Sequence, residues 1–140
     1  MLLAVKEVWP SEKPILLRLS AEEYSKEGNH IEETFEIVNL VKKYVDCINV
    51  STGGVVSTPI TPYPGYQVPF SEAIKKTCQI KTIAGGLITN YQMIEEVLQN
   101  NRADYVYLGR ALLRQPYFVL EAAKSLEVDI IPKSLERGFM

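Results

Sequence analysis

Two short glycine-bearing turns constrain this chain more than anything else in it. Gly85-Gly86 follows the apolar run Ile80 to Ala84, and Gly109-Arg110 follows Tyr105 to Leu108. Each precedes a helical pattern, so each marks the C-terminal end of a strand that hands over to a helix, one βα unit apart. In a (β/α)₈ barrel the loops after the last two strands, together with a helix N-terminus, form the usual phosphate site. Glycine lets a backbone N–H come close to a phosphate oxygen, and Arg110 adds a fixed cation with a planar fork. A single turn of this kind reads as a tight βα connection with a solvated arginine. Two consecutive ones predict a phosphorylated ligand at the C-terminal end of a barrel-type sheet.

The rest of the chain supplies the units that such a sheet needs. The first nine residues read as the tail of a helix that Pro10 ends. Pro14 opens a nearly continuous apolar strand, Ile15 to Ser20, of the type covered on both faces in parallel sheets. Ile31, Phe35, Val38, Val41 and Val45 lie on one helical stripe between residues 30 and 45. Asp46 to Val50 is a second strand, followed by Ser51-Thr52-Gly53-Gly54. Val55 to Pro69 is a proline-rich loop, long enough that function is expected of it. Phe70 to Thr77 reads as a short helix and Ile80 to Ala84 as a third strand. Thr89-x-x-Gln92 has the form of a capping box for a helix that buries Met93, Ile94, Val97 and Leu98. Asp104 to Leu108 is a fourth strand, and a helical stretch over 110–126 is interrupted by Pro116. The tail from Val128 has no clear period. Alternation of strands and helices implies a parallel sheet with right-handed crossovers. Four units, where a complete barrel needs eight, predict an α/β half of a (β/α)₈ barrel with outer helices, residues 1–140 forming one domain.

Composition removes several function classes. The chain has 140 residues, is 46% hydrophobic and carries a net charge of −2, so a real core is expected and disorder is not. Without a basic stripe, neither nucleic acid nor a membrane surface is an expected partner. No apolar stretch approaches the ~20 residues of a membrane span. The opening residues Met1 to Lys6 lack the basic leader and apolar core of a signal peptide, which sets a cytoplasmic expectation. Cys47 and Cys78 form no CxxC pair and are read as reduced core thiols. One histidine, His30, cannot build a multi-histidine metal site, and it reads as a solvated residue at a helix start. No metal is expected.

Five motifs in order carry a more specific resemblance: Leu17-Arg18-Leu19-Ser20, Ser51-Thr52-Gly53-Gly54, Pro64-Gly65-Tyr66-Gln67-Val68-Pro69-Phe70, Ala84-Gly85-Gly86-Leu87-Ile88 and Leu108-Gly109-Arg110. They resemble the C-terminal half of the Old Yellow Enzyme family, in its short bacterial ene-reductase branch. Members are FMN-containing, NAD(P)H-dependent (β/α)₈ barrels. The resemblance covers nearly the whole chain, roughly the fifth to eighth units of that barrel. It implies that Arg18 contacts the N1/C2 edge of the flavin and that Ser51, Thr52 and Gly53 lie beside the ribityl chain. Gly85 and Gly86 would form the first phosphate turn, and Gly109 with Arg110 the second. Arg137, in Glu136-Arg137-Gly138-Phe139, matches an arginine that in this branch can reach a neighbouring subunit's active site; a surface arginine is its plain reading.

The resemblance also implies what is missing. The family's substrate-orienting His/His or His/Asn pair and its tyrosine proton donor belong to the first four units, so no catalytic residue is assigned to this chain. The implied reaction passes hydride from NADH or NADPH through FMN to a small electrophilic substrate such as an activated alkene. The alternative is a truncated fragment that folds without activity. Strand parity places Leu16, Arg18 and Ser20 on one face and Ile15, Leu17 and Leu19 on the other. Arg18 then points into the barrel, either toward a flavin or into an ion pair with a carboxylate. Pro64-Gly65-Tyr66-Gln67 is read as a rigid turn packing Tyr66, with a substrate-facing lip as the other reading. Exposed sheet edges predict that the chain self-associates as a homo-oligomer or meets its missing N-terminal half-barrel.

Overall fold

A computed structural model describes residues 1–138, which fall into two compact units, the first Met1–Tyr107 and the second beginning at Leu108. The first unit runs α1 (Leu2–Val8), β1 (Leu16–Ser20), α2 (Ile31–Val41), β2 (Cys47–Ser51), α3 (Val68–Cys78), β3 (Lys81–Ala84), α4 (Tyr91–Gln99) and β4 (Tyr105–Val106). The four strands are all parallel and pair in the order β1-β2-β3-β4. Each strand therefore adds beside the one before it, as in a barrel, without the reversal of order that marks a doubly wound sheet. The expected four-stranded parallel architecture is the one observed.

Period-two alternation sorts the side chains of each strand. Leu17 and Leu19 of β1, with Ile48 and Val50 of β2, pack with Val38 of α2 and with Ile74 and Cys78 of α3 into the core. Ile48, Val50, Val38 and Ile74 are fully buried. The opposite face carries Leu16, Arg18, Asn49, Ile83 and Tyr105, aligned across the sheet by the register Arg18–Asn49–Ile83–Tyr105. This second face is open at the edge strands, where Leu16 is 56% and Tyr105 51% exposed, while Cys47 of β2, in register with Leu16, is buried.

Several element ends differ from the sequence reading. Helix α4 is capped by Asn90, whose side chain accepts a 2.9 Å bond from the Met93 amide; the expected Thr89-x-x-Gln92 box does not form. Asn90 has the extended backbone a cap requires, and its carbonyl reaches the third amide. Helix α3 begins at Val68, two residues early, because Pro69 is tolerated in a first turn that leaves amides free anyway. Regular β4 is only two residues long within the expected Asp104 to Leu108. Pairing nevertheless continues at both ends. The Asp104 carboxylate accepts from the Thr82 amide at 2.9 Å, and the Tyr107 amide donates to Ala84 O at 2.8 Å. His30 does start α2, and the Glu33 carboxylate accepts its backbone N–H at 2.9 Å. Its ring stays partly exposed, with Nδ1 2.9 Å from Glu22 Oε1.

The second unit holds α5 (Arg110–Arg114), α6 (Phe118–Ser125) and a 3₁₀ turn, Glu136–Gly138. The break between α5 and α6 falls at Pro116, as expected of a residue that cannot donate within a helix. Ala111, Phe118 and Ala123 are its buried residues. No helix among the described residues is long and apolar enough to cross a membrane.

Candidate functional site

The C-terminal tips of the strands in the first unit are tied together by polar side chains from four segments. After β1, the buried Glu23 reaches forward into the loop after β2, where its carboxylate accepts the amides of Val55 and Val56 at 2.9 and 3.0 Å. Ser20 donates to its other oxygen. Burial pushes the Glu23 carboxyl up, but the Ser20 hydroxyl and the Val56 and Val55 amides outweigh it and hold the group below the ordinary carboxylate range. The two loops are also joined by backbone: Ala21 N–H donates to Ser51 O and Gly53 N–H to Glu22 O, both at 2.7 Å. Ser51 Oγ donates to Leu19 O at 3.1 Å. Thr52 is buried, and its hydroxyl accepts from Tyr24 OH at 3.0 Å. The three residues Ser51, Thr52 and Gly53 thus form one braced strand end.

A second junction centres on Gln67, which is 4% exposed. Its Oε1 accepts from Tyr107 OH at 2.5 Å, and its Nε2 donates to Tyr66 OH at 3.0 Å and toward Thr52 Oγ1 at 3.5 Å. Pro64-Gly65-Tyr66-Gln67 is a turn bonded to the glycine pair, since Gly65 N–H donates to Gly86 O at 2.7 Å. Gly86 has φ +93, a conformation that side-chain-bearing residues rarely adopt, and a Cβ there would press on Gln67 and Tyr66 at 3.0 Å. Gly85 is buried flat against the Tyr107 ring, where a Cβ would collide with the aromatic carbons. Among the described residues the Gly86 N–H donates to no other group.

Arg18 lies on the open face, exposed, with its Cζ 5.1 Å from the centroid of the Tyr107 ring. Among the described residues no ion pair involves Arg18, so the carboxylate partner weighed from the sequence is absent. Asn49, its neighbour in register, has a buried Oδ1 without a hydrogen-bond partner among the described residues. Cys47 is buried and its thiol is pushed up to about 11, by burial first and by the Asp104 charge second. That thiol stays protonated near neutral pH and is a poor nucleophile, in keeping with its reading as a core residue.

The remaining predicted residues belong to the second unit. Gly109 is the N-cap of α5 and Arg110 its first residue, both exposed. At five residues α5 is a brief helix, so the Gly109 amide and the Arg110 guanidinium matter more than any macrodipole. Arg137 is exposed in the 3₁₀ turn, and Phe139 of its motif lies outside the described residues. Sequence reasoning missed Glu23, Tyr24 and Tyr107, and took Gln67 as part of a rigid turn or of a substrate-facing lip. Tyr107 had a readable signal, since it falls two residues after Tyr105 on the face that Arg18 shares.

The sequence model of a family described as NADH:flavin oxidoreductase / NADH oxidase matches residues 1–129. The chain belongs to that family. The resemblance to Old Yellow Enzymes is therefore borne out, and with it the association with FMN and a nicotinamide reductant. Among curated relatives, an NADPH dehydrogenase of Clostridium acetobutylicum is 55% identical over 139 residues, covering 97% of this chain and 41% of that protein. NADPH dehydrogenases of Geobacillus thermodenitrificans and Bacillus subtilis are 47% and 42% identical, each covered over 40% of its length. The chain thus spans about 40% of the curated relatives it matches. A 2-naphthoyl-CoA reductase superposes with a TM-score of 0.80 at 18% identity over 89% of this chain and 20% of its own. Histamine dehydrogenase from Rhizobium sp. 4-9 gives 0.75 at 17% over 89% and 19%. At these identities the structural likeness speaks for the fold alone, that of part of a (β/α)₈ barrel.

Proposed function

We propose that residues 1–140 are the C-terminal half-barrel of an FMN-dependent NADPH or NADH oxidoreductase and contribute much of its flavin site. The observation that carries this reading is Arg18: an exposed guanidinium on the inner sheet face, with no carboxylate to neutralise it among the described residues. The resemblance assigns that arginine to the flavin edge. The donor set fits an anionic, polyhydroxylated ligand. Arg18 supplies a cation for the N1/C2 edge of the ring system, favouring electron density there. Ser51, Thr52 and Gly53 supply the strand end beside the ribityl chain. Gly85 and Gly86 offer amides to the phosphate, the Gly86 N–H being uncommitted within the described residues. In the second unit, Gly109 supplies a further amide and Arg110 a guanidinium suited to a doubly charged phosphate.

Bound FMN would supply hydride transfer, from NAD(P)H to an activated alkene or another small electrophile. This chain's residues bind and orient the cofactor. The resemblance assigns the substrate-orienting pair and the proton donor to the first four units of the barrel, so catalysis needs residues from elsewhere. The inner face, with Leu16 and Tyr105 more than half exposed, is the surface that an N-terminal half-barrel or a second copy of the chain would cover. Arg137 is assigned to a neighbouring subunit's active site only on the strength of the motif.

The test is a titration of the 140-residue chain with FMN, followed by flavin fluorescence, with NADPH oxidation measured in parallel. Saturable but weak FMN binding is expected, because half of the contacts are elsewhere, and Arg110→Ala should weaken it at least fivefold. Binding that Arg110→Ala and Arg18→Ala both leave untouched would overturn the assignment of the site. FMN binding without NADPH oxidation would favour the non-catalytic fragment.

A further inference from the structure

The contact between Arg18 and Tyr107 has an unusual origin. Arg18 is on β1 and Tyr107 directly follows β4, the first and last strands of the sheet. Three strand spacings of ~4.8 Å put those strands about 14 Å apart along the sheet. The two side chains nevertheless meet, with the guanidinium carbon 5.1 Å from the ring centroid. They do so because both project from the same open face and reach toward each other across it.

Tyr107 is the fixed member of the pair. Its ring lies on the bare backbone of Gly85, where even a methyl group would collide with it. Its amide donates to Ala84 O at 2.8 Å, and its hydroxyl donates to Gln67 Oε1 at 2.5 Å. Gln67 is buried and is itself held through Tyr66 and Thr52. Arg18, by contrast, is exposed and has no ion-pair partner among the described residues. A free arginine side chain samples many rotamers, and ordering it on binding opposes affinity. A guanidinium resting over an aromatic face is already partly ordered.

We propose that Tyr107, locked by Gln67, is a positioning residue that holds Arg18 ready for the flavin edge. This deepens the flavin reading of Arg18 and rests on it. The ring provides the surface on which the guanidinium lies, and the phenol hydroxyl sets the tilt of that surface through Gln67. Gly85 then has a second reason to be glycine besides phosphate approach: it makes room for the ring. The arrangement also links the phosphate end of the site to the ring end, since Gln67 touches Gly86 on one side and Tyr107 on the other.

Two readouts on the full 140-residue chain test this. The first needs no ligand: the Arg18 Nε–Hε resonance in nitrogen-15 NMR spectra, shifted by the ring current of Tyr107. Tyr107→Leu should move it to the position of a solvated arginine, and Tyr107→Phe should move it only part of the way. The second is the FMN titration, where Tyr107→Leu should weaken binding about tenfold and Tyr107→Phe about twofold. Tyr105→Leu, on the same face, should change neither. An Arg18 resonance unmoved in Tyr107→Leu overturns the proposal; if that variant fails to fold, an unmoved resonance in Tyr107→Phe does so. A wild-type chain that takes up no FMN sinks the flavin reading, while the resonance still reports on the positioning of Arg18.

Discussion

The two faces of one sheet behave as different materials. On the outer face Ile48, Val50, Thr82 and Ala84 are completely buried, and helices cover them. On the inner face, one residue away along the same strands, Leu16, Arg18 and Tyr105 stand open. The backbone is shared, and the difference comes from a side-chain period of two. The contrast teaches that this chain's stability and its proposed chemistry are carried by alternate residues of the same strands. A substitution's effect should therefore depend more on its parity than on its chemistry.

The largest test of that division is Ile48→Ala. Ile48 is fully buried against the core of helices α2 and α3. Losing its methyl groups and leaving a cavity should cost about 2–5 kcal/mol, readable from a urea melt. A cost below about 1 kcal/mol would mean that the outer face is not the structural one.

Next in size comes Glu23, which belongs to neither face and braces the loops above both. Glu23→Gln keeps the shape but loses the charge that strengthens three hydrogen bonds. The expected loss is about 2 kcal/mol at neutral pH. The pH dependence has a definite sign. The folded-state pKa is depressed, so the contribution is complete above the unfolded carboxyl value of about 4.3. It is lost as pH falls through the lower folded value. The stability gap between wild type and Glu23→Gln should therefore close on acidification below about pH 4, and a gap that widens there would contradict the assigned hydrogen bonds.

How much of this could be read from the sequence follows from range. The parity of β1, the glycine turns and the break at Pro116 are local, and all three were legible. Cap identity was less so: Thr89 and Asn90 are both good cap residues, and only the backbone angles choose between them. The bond from Tyr107 to Gln67 joins residues 40 apart, and Glu23 reaches the Val55 and Val56 amides across 32 and 33. Nothing in local propensity announces such contacts. Gln67 looked like the last residue of a turn because two of its three partners, Thr52 and Tyr107, come from distant segments.

The smallest expected effect is the sharpest test of the open face. Leu16 sits two residues before Arg18 with 56% of its surface exposed, an uncommon place for leucine on a strand whose alternate residues form the core. If that face is free in the isolated chain, Leu16→Ser removes little buried area, and stability should change by no more than about 0.5 kcal/mol. If instead a second copy covers the face, the same substitution deletes an interface contact, and the melt of the wild type should depend on concentration while that of the variant does not. Melts at two concentrations tenfold apart separate these outcomes. A loss of several kcal/mol at both concentrations would place Leu16 in the core and end the distinction between the faces.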